Sequence, residues 1–258
     1  MRATALDTWA MLGRQGRALM RQPIWIAILI VEPIVWITLF SQLFRRIVEL
    51  PGFETDSYIQ FLTPGIVVMA AFFSASWSGW NMLMDHDRGV LERFLATRVS
   101  RFAIVVSQVL RSSIIGVIKA LLLVGIAHAL GARVTAGFAG WLVLLLAAAL
   151  ISSVFAGISH TIALVVRSQD TLVAFVSFYA LPLTFFSTSL IAEELMPVWM
   201  QWAARFNPVN WAVMAARETM STTTDWSAIG FWLGLLVAGS VATALLATHA
   251  FRSYQRTL

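Results

Sequence analysis

The sequence contains no cysteine, and Asp, Glu, Lys and Arg make up only 12% of its 258 residues. The lack of cysteine excludes disulfides and thiolate metal sites. Soluble domains are about 25% charged, and a chain that is 59% hydrophobic cannot cover a water-facing surface with polar side chains. The composition therefore predicts an integral membrane protein.

The sequence also lacks a phosphate-binding loop of the form Gly-x-x-x-x-Gly-Lys-Ser/Thr. Its only lysine, Lys119, lies in the apolar run Ile-Gly-Val-Ile-Lys-Ala-Leu-Leu-Leu, where no glycine loop could surround phosphates. We therefore expect neither an ATP site nor a cofactor in this chain.

Motifs for catalysis and metal binding are missing as well. An intramembrane serine hydrolase needs a Gly-x-Ser-Gly nucleophile, and Ser76-Trp77-Ser78-Gly79 lacks the first glycine. His128, His160 and His249 are isolated in the sequence. Asp85-His86-Asp87 places three donors side by side with no distant partner motif. We expect no catalytic residue and no metal site.

Long apolar stretches indicate the fold class. A membrane-spanning helix needs about 20 apolar residues, and six segments meet this length. The sequence therefore predicts an all-α membrane protein that forms a single transmembrane domain over residues 1–258. The six predicted spans are about 24–44, 60–84, 102–130, 138–166, 171–191 and 228–251.

The arginines outside these spans predict the orientation. With the N-terminus inside, the cytoplasmic segments hold eleven arginines and the outer segments hold five. Cytoplasmic loops of membrane proteins carry the excess of positive charge. We expect both termini on the cytoplasmic side.

Two segments outside the spans have helical patterns. Residues 1–22 place Arg14, Arg17 and Arg21 on one face and Trp9 on the other, which is typical of an amphipathic helix in the membrane interface. In the outer segment, Pro197 and Pro208 favour two short helices at about 197–206 and 208–219.

The densest charge cluster of the chain, residues 85–101, lies between the second and third predicted spans. Val90, Leu91, Phe94 and Leu95 form one apolar stripe with charged residues around it. A short amphipathic helix at about 88–98 could dock a water-soluble partner, although an ordinary arginine-rich loop would have a similar composition.

Three ionisable residues lie inside predicted spans, where charge is costly and usually functional. They are Glu32, Arg111 and Lys119. A secondary antiporter is one interpretation, but proton relays use chains of Asp, Glu or His. Glu32 precedes Pro33, and a kink there could instead expose its carboxylate to water.

The second and fifth spans are rich in aromatic residues, with Pro182 as a predicted kink. Aromatic apolar surfaces bind lipophilic ligands, but they also face lipid, so both interpretations remain open. The aromatic residues are Phe72, Phe73, Trp77, Phe178, Tyr179, Phe185 and Phe186.

Three groups of residues resemble the permease subunits of type-2 ABC exporters, of the daunorubicin-resistance and polysaccharide-export kind. They are Arg21-x-Pro23, the run Asp87-Arg88-Gly89-x-Leu91-Glu92-Arg93-x-Leu95-x-Thr97-x-Val99-Ser100-Arg101, and Phe206-Asn207-Pro208 with Arg217. Relatives commonly carry Pro after this Thr, where the chain has Arg98. The resemblance covers almost the whole chain.

The resemblance implies a homodimeric permease in the bacterial cytoplasmic membrane, bound to two copies of a separate ATPase that holds ATP and Mg. It also implies that the helix at 88–98 is a coupling helix on the ATPase, and that the helices at 197–219 re-enter the membrane from the outer side. The coupling residues would be Asp87, Arg88, Leu91, Glu92, Arg93, Phe94 and Leu95.

In this family the central pathway runs at the permease dimer interface, which makes part of the aromatic set a candidate substrate route. The candidates are Phe72, Phe73, Trp77, Phe178, Phe185 and Phe186. We expect export of a lipophilic drug or lipid-like molecule, as in multidrug efflux and antibiotic resistance. Export of a glycan or glycolipid by the same architecture is the alternative.

Overall fold

A computed structural model describes residues 23–43, 57–89, 101–221 and 223–255. All regular secondary structure in these ranges is helical, which agrees with the predicted all-α fold class. The predicted interfacial helix at 1–22 and most of the predicted coupling helix lie outside the described residues.

Nine α-helices are present in the described ranges, together with a 3-10 turn at Glu193–Leu195. They are α1 (Pro23–Leu43), α2 (Tyr58–Ser76), α3 (Gly79–Asp87), α4 (Arg101–Ala129), α5 (Gly137–Val166), α6 (Gln169–Phe185), α7 (Val198–Arg205), α8 (Pro208–Glu218) and α9 (Trp226–Gln255).

Four stretches of the described residues are long and apolar enough to cross a membrane: Tyr58–Asp85, Ile104–Ala129, Gly137–Val166 and Trp226–Phe251. The predicted count of six spans is therefore not confirmed. Helix α1 covers the first predicted span as Pro23–Leu43, and the part of it that counts as a continuous apolar stretch of described residues, Ile34–Leu43, is too short by itself.

The fifth predicted span, 171–191, is shorter in the structure. Helix α6 has 17 residues, and at about 1.5 Å per residue it is shorter than the roughly 30 Å hydrocarbon core. It ends at Phe185, and the chain continues through turns. The polar run Ser187-Thr188-Ser189 is buried there and hydrogen-bonds inside the protein.

The second predicted span, 60–84, is a pair of helices rather than one. Helix α2 ends at Ser76 and α3 begins at Gly79, with a turn at Trp77 and Ser78 between them. The third, fourth and sixth predicted spans correspond to α4, α5 and α9, whose ends lie within a few residues of the predicted ones.

Helix α5 lies at the centre of the subunit and packs against α2, α3, α4, α6, α8 and α9. Small residues allow these close contacts. A Cβ atom on Gly157 would lie 2.7 Å from the Thr243 side chain of α9, and one on Gly116 of α4 would overlap the Ser152 hydroxyl. The interior is thus tightly packed around α5.

Candidate functional site

Helix α3 connects the membrane-embedded bundle to the predicted coupling segment. Asp87 and Arg88 are exposed at its end, and Gly89 follows with a left-handed φ of 63°. The Gln169 side-chain amide donates a 3.0 Å hydrogen bond to the Asp87 carboxylate. The end of α3 is therefore attached to the start of α6.

The remaining predicted coupling residues lie outside the described residues, so their role stays a prediction. They are Leu91, Glu92, Arg93, Phe94 and Leu95.

The break between α2 and α3 is held by one residue of α5. The Ser159 hydroxyl donates a 2.6 Å hydrogen bond to the Ser76 carbonyl and accepts a 2.9 Å bond from the Gly79 backbone N–H. A Cβ atom on Gly79 would lie 2.5 Å from the Ser159 carbonyl oxygen. Because Ser159 contacts both sides of the break, it fixes where α3 leaves α2. The sequence analysis missed this role.

The structure separates the predicted substrate-route aromatics into two groups. Phe72 is fully buried, with its ring 4.4 Å from the Phe155 ring in an edge-on arrangement, and Phe73 is half-buried beside it. Phe178 and Phe185 instead face outward from α6, with 80% and 59% of their surface exposed. Phe72 thus lies in the subunit interior, away from any external surface.

Trp77 and Phe186, the other two predicted aromatics, have different surroundings. Trp77 lies in the break after α2 and is exposed. Phe186 follows the last residue of α6 and packs edge-on against Trp199 of α7, with 5.7 Å between the ring centroids. The six residues therefore do not form one continuous surface within a single subunit.

Two of the predicted intramembrane charges are described with their side chains. Lys119 is buried and Arg111 is half-buried. Each of them interacts with at least one other group. Arg111 acts electrostatically on the fully buried His160 of α5. The Glu32 side chain lies outside the part of the chain that the structure describes.

A polar network joins the end of α6 to the short helices. Asn207 accepts a 2.9 Å bond from the Val209 backbone N–H, and its amide donates to the Leu183 and Phe186 carbonyls at 2.6 and 2.7 Å. The Asn210 side-chain oxygen accepts bonds from the Thr188 N–H and hydroxyl at 2.9 and 2.8 Å.

Asn207 could have been recognised from sequence, because Asn before Pro is typical of a helix N-cap followed by its first residue. For Thr188 and Asn210, the sequence carries no such local signal. Their pairing depends on how α8 lies against the turn after α6.

Arg217 completes this network from α8. Its guanidinium donates a 2.5 Å hydrogen bond to the Thr188 carbonyl and lies 4.0 Å from the centre of the Phe61 ring. Burial lowers the pKa of Arg217 to about 10, and the carboxylates of Glu194, Glu193 and Glu218 oppose this shift. The guanidinium is therefore charged at neutral pH, and it anchors α8 to α2 and to the turn after α6.

Among the described residues, no group of three His, Asp or Glu side chains could hold a metal ion. The described residues do form an exposed aromatic face on α6, a helix break fixed by Ser159, and a pair of short helices anchored by Asn207 and Arg217.

Residues 7–221 match the ABC-2 type transporter family. The chain belongs to this family. It is therefore the membrane-embedded permease subunit of an ABC transporter, and the family implies a partner ATPase.

Two named relatives are similar to this chain over most of their own length. The daunorubicin resistance ABC transporter permease protein of Streptomyces coeruleorubidus is 29% identical over 262 residues, which cover 98% of this chain and 88% of that protein. A putative transport permease of Porphyra purpurea is 29% identical over 91% of this chain and 81% of its own length.

A probable doxorubicin resistance ABC transporter permease protein of Mycobacterium tuberculosis matches a smaller part. It is 25% identical over 162 residues, covering 63% of this ABC-2 permease and 58% of the relative. Drug resistance therefore recurs in the names of its relatives.

Proposed function

We propose that this ABC-2 permease is the membrane subunit of an exporter that moves a lipophilic drug or lipid-like molecule out across the bacterial cytoplasmic membrane, driven by ATP hydrolysis on a partner subunit. The observation that carries this proposal is the outward aromatic face of helix α6.

One side of α6 is buried through Leu172, Val176 and Ala180. The opposite side exposes large apolar side chains at helical spacing: Phe175, Phe178, Leu181 and Phe185. Residues three, four and seven apart share a helix face. Helix α6 therefore has a second apolar face that no other described helix of the subunit covers.

This face suits both a second copy of the chain and a lipophilic substrate at the interface between the copies. We place the homodimer contact along α6, with Phe178 and Phe185 at the substrate route. Aromatic and apolar linings with few polar groups are typical of sites for lipophilic ligands. The relatives named for daunorubicin and doxorubicin resistance support the drug class.

Two copies of the ATPase would bind at the cytoplasmic ends of the α3 helices, with ATP and Mg held on the ATPase. Asp87 and Arg88 lie at the described end of α3, and Leu91, Phe94 and Leu95 would enter an apolar cleft of the ATPase. Both termini would face the cytoplasm.

Reconstitution with the partner ATPase tests the substrate class. The complex is placed in lipid vesicles, and ATP hydrolysis is measured with each of three compounds: daunorubicin, a second membrane-permeant amine that carries an aromatic ring, and a lipid-linked glycan. We expect daunorubicin and the second amine to stimulate ATP hydrolysis and to be transported in an ATP-dependent manner. Stimulation by the glycan alone would overturn the drug assignment in favour of glycan export.

Pull-down of the ATPase tests the coupling segment. A Leu91, Phe94 and Leu95 triple alanine variant should lose the ATPase, because apolar anchors at an interface are worth about 2 kcal/mol or more each. Arg93→Glu is the comparison, and its smaller defect should depend on salt. Undiminished binding by the triple variant would show that this segment is an ordinary basic loop.

A further inference from the structure

Several buried polar atoms near the break between α2 and α3 have no hydrogen-bond partner in the part of the chain that the structure describes. They are the Ser78 hydroxyl in the break, both ring nitrogens of His160 on α5, and the Tyr179 hydroxyl on α6. His160 is 1% exposed and Ser78 is 7% exposed. Three elements, the break, α5 and α6, thus contribute such groups near the break.

The neighbours of these atoms are also polar. The His160 ring lies near the Ala156 and Ser78 backbones and near the Arg111 guanidinium. The Tyr179 hydroxyl lies near the Ser76 side chain. None of these contacts has hydrogen-bond geometry. The Ser76 hydroxyl donates instead to the Phe72 carbonyl. Among the described residues, direct contacts therefore do not satisfy His160, Ser78 or Tyr179.

The chemistry of these groups indicates the ligand. A neutral imidazole offers one donor and one acceptor, and each hydroxyl can both donate and accept. A bound anion would leave the acceptor nitrogen of His160 unsatisfied, and Arg111 disfavours a cation. Water can donate and accept at once, and buried water typically binds otherwise unsatisfied polar groups in this way.

We propose that the α2–α3 break is the wall of an internal water site, with His160, Ser78 and Tyr179 as its ligands. Water inserted at a helix break replaces the hydrogen bonds that a continuous helix would make. The site therefore stabilises the turn at Trp77 and Ser78 by a contact that can rearrange, while Ser159 supplies the fixed contact. This inference does not depend on which molecule is transported.

The proposed water site can be tested by whether removing a hydroxyl lowers or raises the melting temperature of the full-length chain in lipid nanodiscs. Removing a hydroxyl that binds water lowers the melting temperature, whereas removing a buried hydroxyl with no partner leaves it unchanged or raises it. We expect Tyr179→Phe and Ser78→Ala each to lower the melting temperature. Tyr58→Phe is the matched comparison for loss of a hydroxyl that is bonded to protein, because the Tyr58 hydroxyl donates directly to the Leu190 carbonyl at 3.4 Å. Its effect on the melting temperature sets the scale for Tyr179→Phe.

Radiolytic hydroxyl labelling with mass spectrometry detects the water directly. Side chains beside bound water should be labelled despite their burial, so Tyr179 and His160 should be labelled well above the fully buried control Phe251. Replacing chloride with gluconate should leave the melting temperature unchanged.

The result that overturns the proposal is labelling of Tyr179 and His160 no greater than that of Phe251, together with an unchanged or raised melting temperature for Tyr179→Phe. A melting temperature that depends on chloride would also overturn it, because the ligand would then be an anion.

Discussion

The Ser159 hydroxyl of α5 is hydrogen-bonded to the Ser76 carbonyl at 2.6 Å, and Ser76 is the last residue of α2. The same hydroxyl accepts a bond from the Gly79 N–H at the start of α3. One side chain therefore joins the membrane-embedded part of the second span to the helix that leads toward the predicted coupling segment.

Ser159→Ala should remove both bonds and leave the buried Gly79 N–H without its partner. We expect a loss of about 1–3 kcal/mol in the free energy of unfolding, together with weaker coupling of ATP hydrolysis to transport in the reconstituted complex. Ser153→Ala, on the same helix, is the control. If Ser159→Ala and Ser153→Ala both couple ATP hydrolysis to transport as well as the parent does, other contacts hold the α2–α3 break.

Gly65→Ala tests the contact between α2 and the turn after α6. A Cβ atom at this position would overlap the Ser189 backbone carbonyl, which is part of a buried turn and cannot move freely. We expect at least about 2 kcal/mol of destabilisation from this overpacking, measured by thermal unfolding.

Gly125→Ala in α4 is the matched control for Gly65→Ala, because nothing lies within 4 Å of its added Cβ. Alanine is the better helix former by about 1 kcal/mol, so this variant should be neutral or stabilised. Equal effects of the two substitutions would contradict the described packing of Gly65.

Asn207→Ala should lose the helix cap of α8 and both amide bonds to α6 and the residue after it. The expected cost is roughly 2–3 kcal/mol. Asn207→Asp is the informative comparison, since Asp is an equally good cap but places a carboxylate against the Leu183 and Phe186 carbonyls. We expect Asn207→Asp to be as destabilised as Asn207→Ala in thermal unfolding. If Asn207→Asp instead had the stability of the parent, the helix cap alone would account for the role of Asn207.

The two groups of aromatics predict different defects. Phe72→Ala should destabilise the subunit by about 3–5 kcal/mol, because it leaves a cavity beside Phe155. Phe178→Ala should leave the unfolding temperature of the isolated subunit close to that of the parent, since the side chain is 80% exposed on α6. It should reduce drug transport, because Phe178 lies at the proposed substrate route. Transport by Phe178→Ala and Phe185→Ala at the parent level would place the substrate route elsewhere.

Local patterns were enough to predict much of the architecture. The low charge and long apolar runs indicated a membrane protein, and α4, α5 and α9 begin and end near the predicted bounds. Pro197 and Pro208 favoured short helices in the segment where α7 and α8 lie. Each of these features depends on residues that are close in sequence.

Only the tertiary structure decided which side chain meets which helix. Phe72 and Phe178 look alike in the sequence, yet one packs inside the subunit and the other faces outward from it. The break after Ser76 depends on Ser159, whose hydroxyl bonds to a backbone 80 residues away in sequence. Apolar runs specify that helices form in a membrane, but long-range packing and the pairing of buried polar groups determine where they break, end and touch.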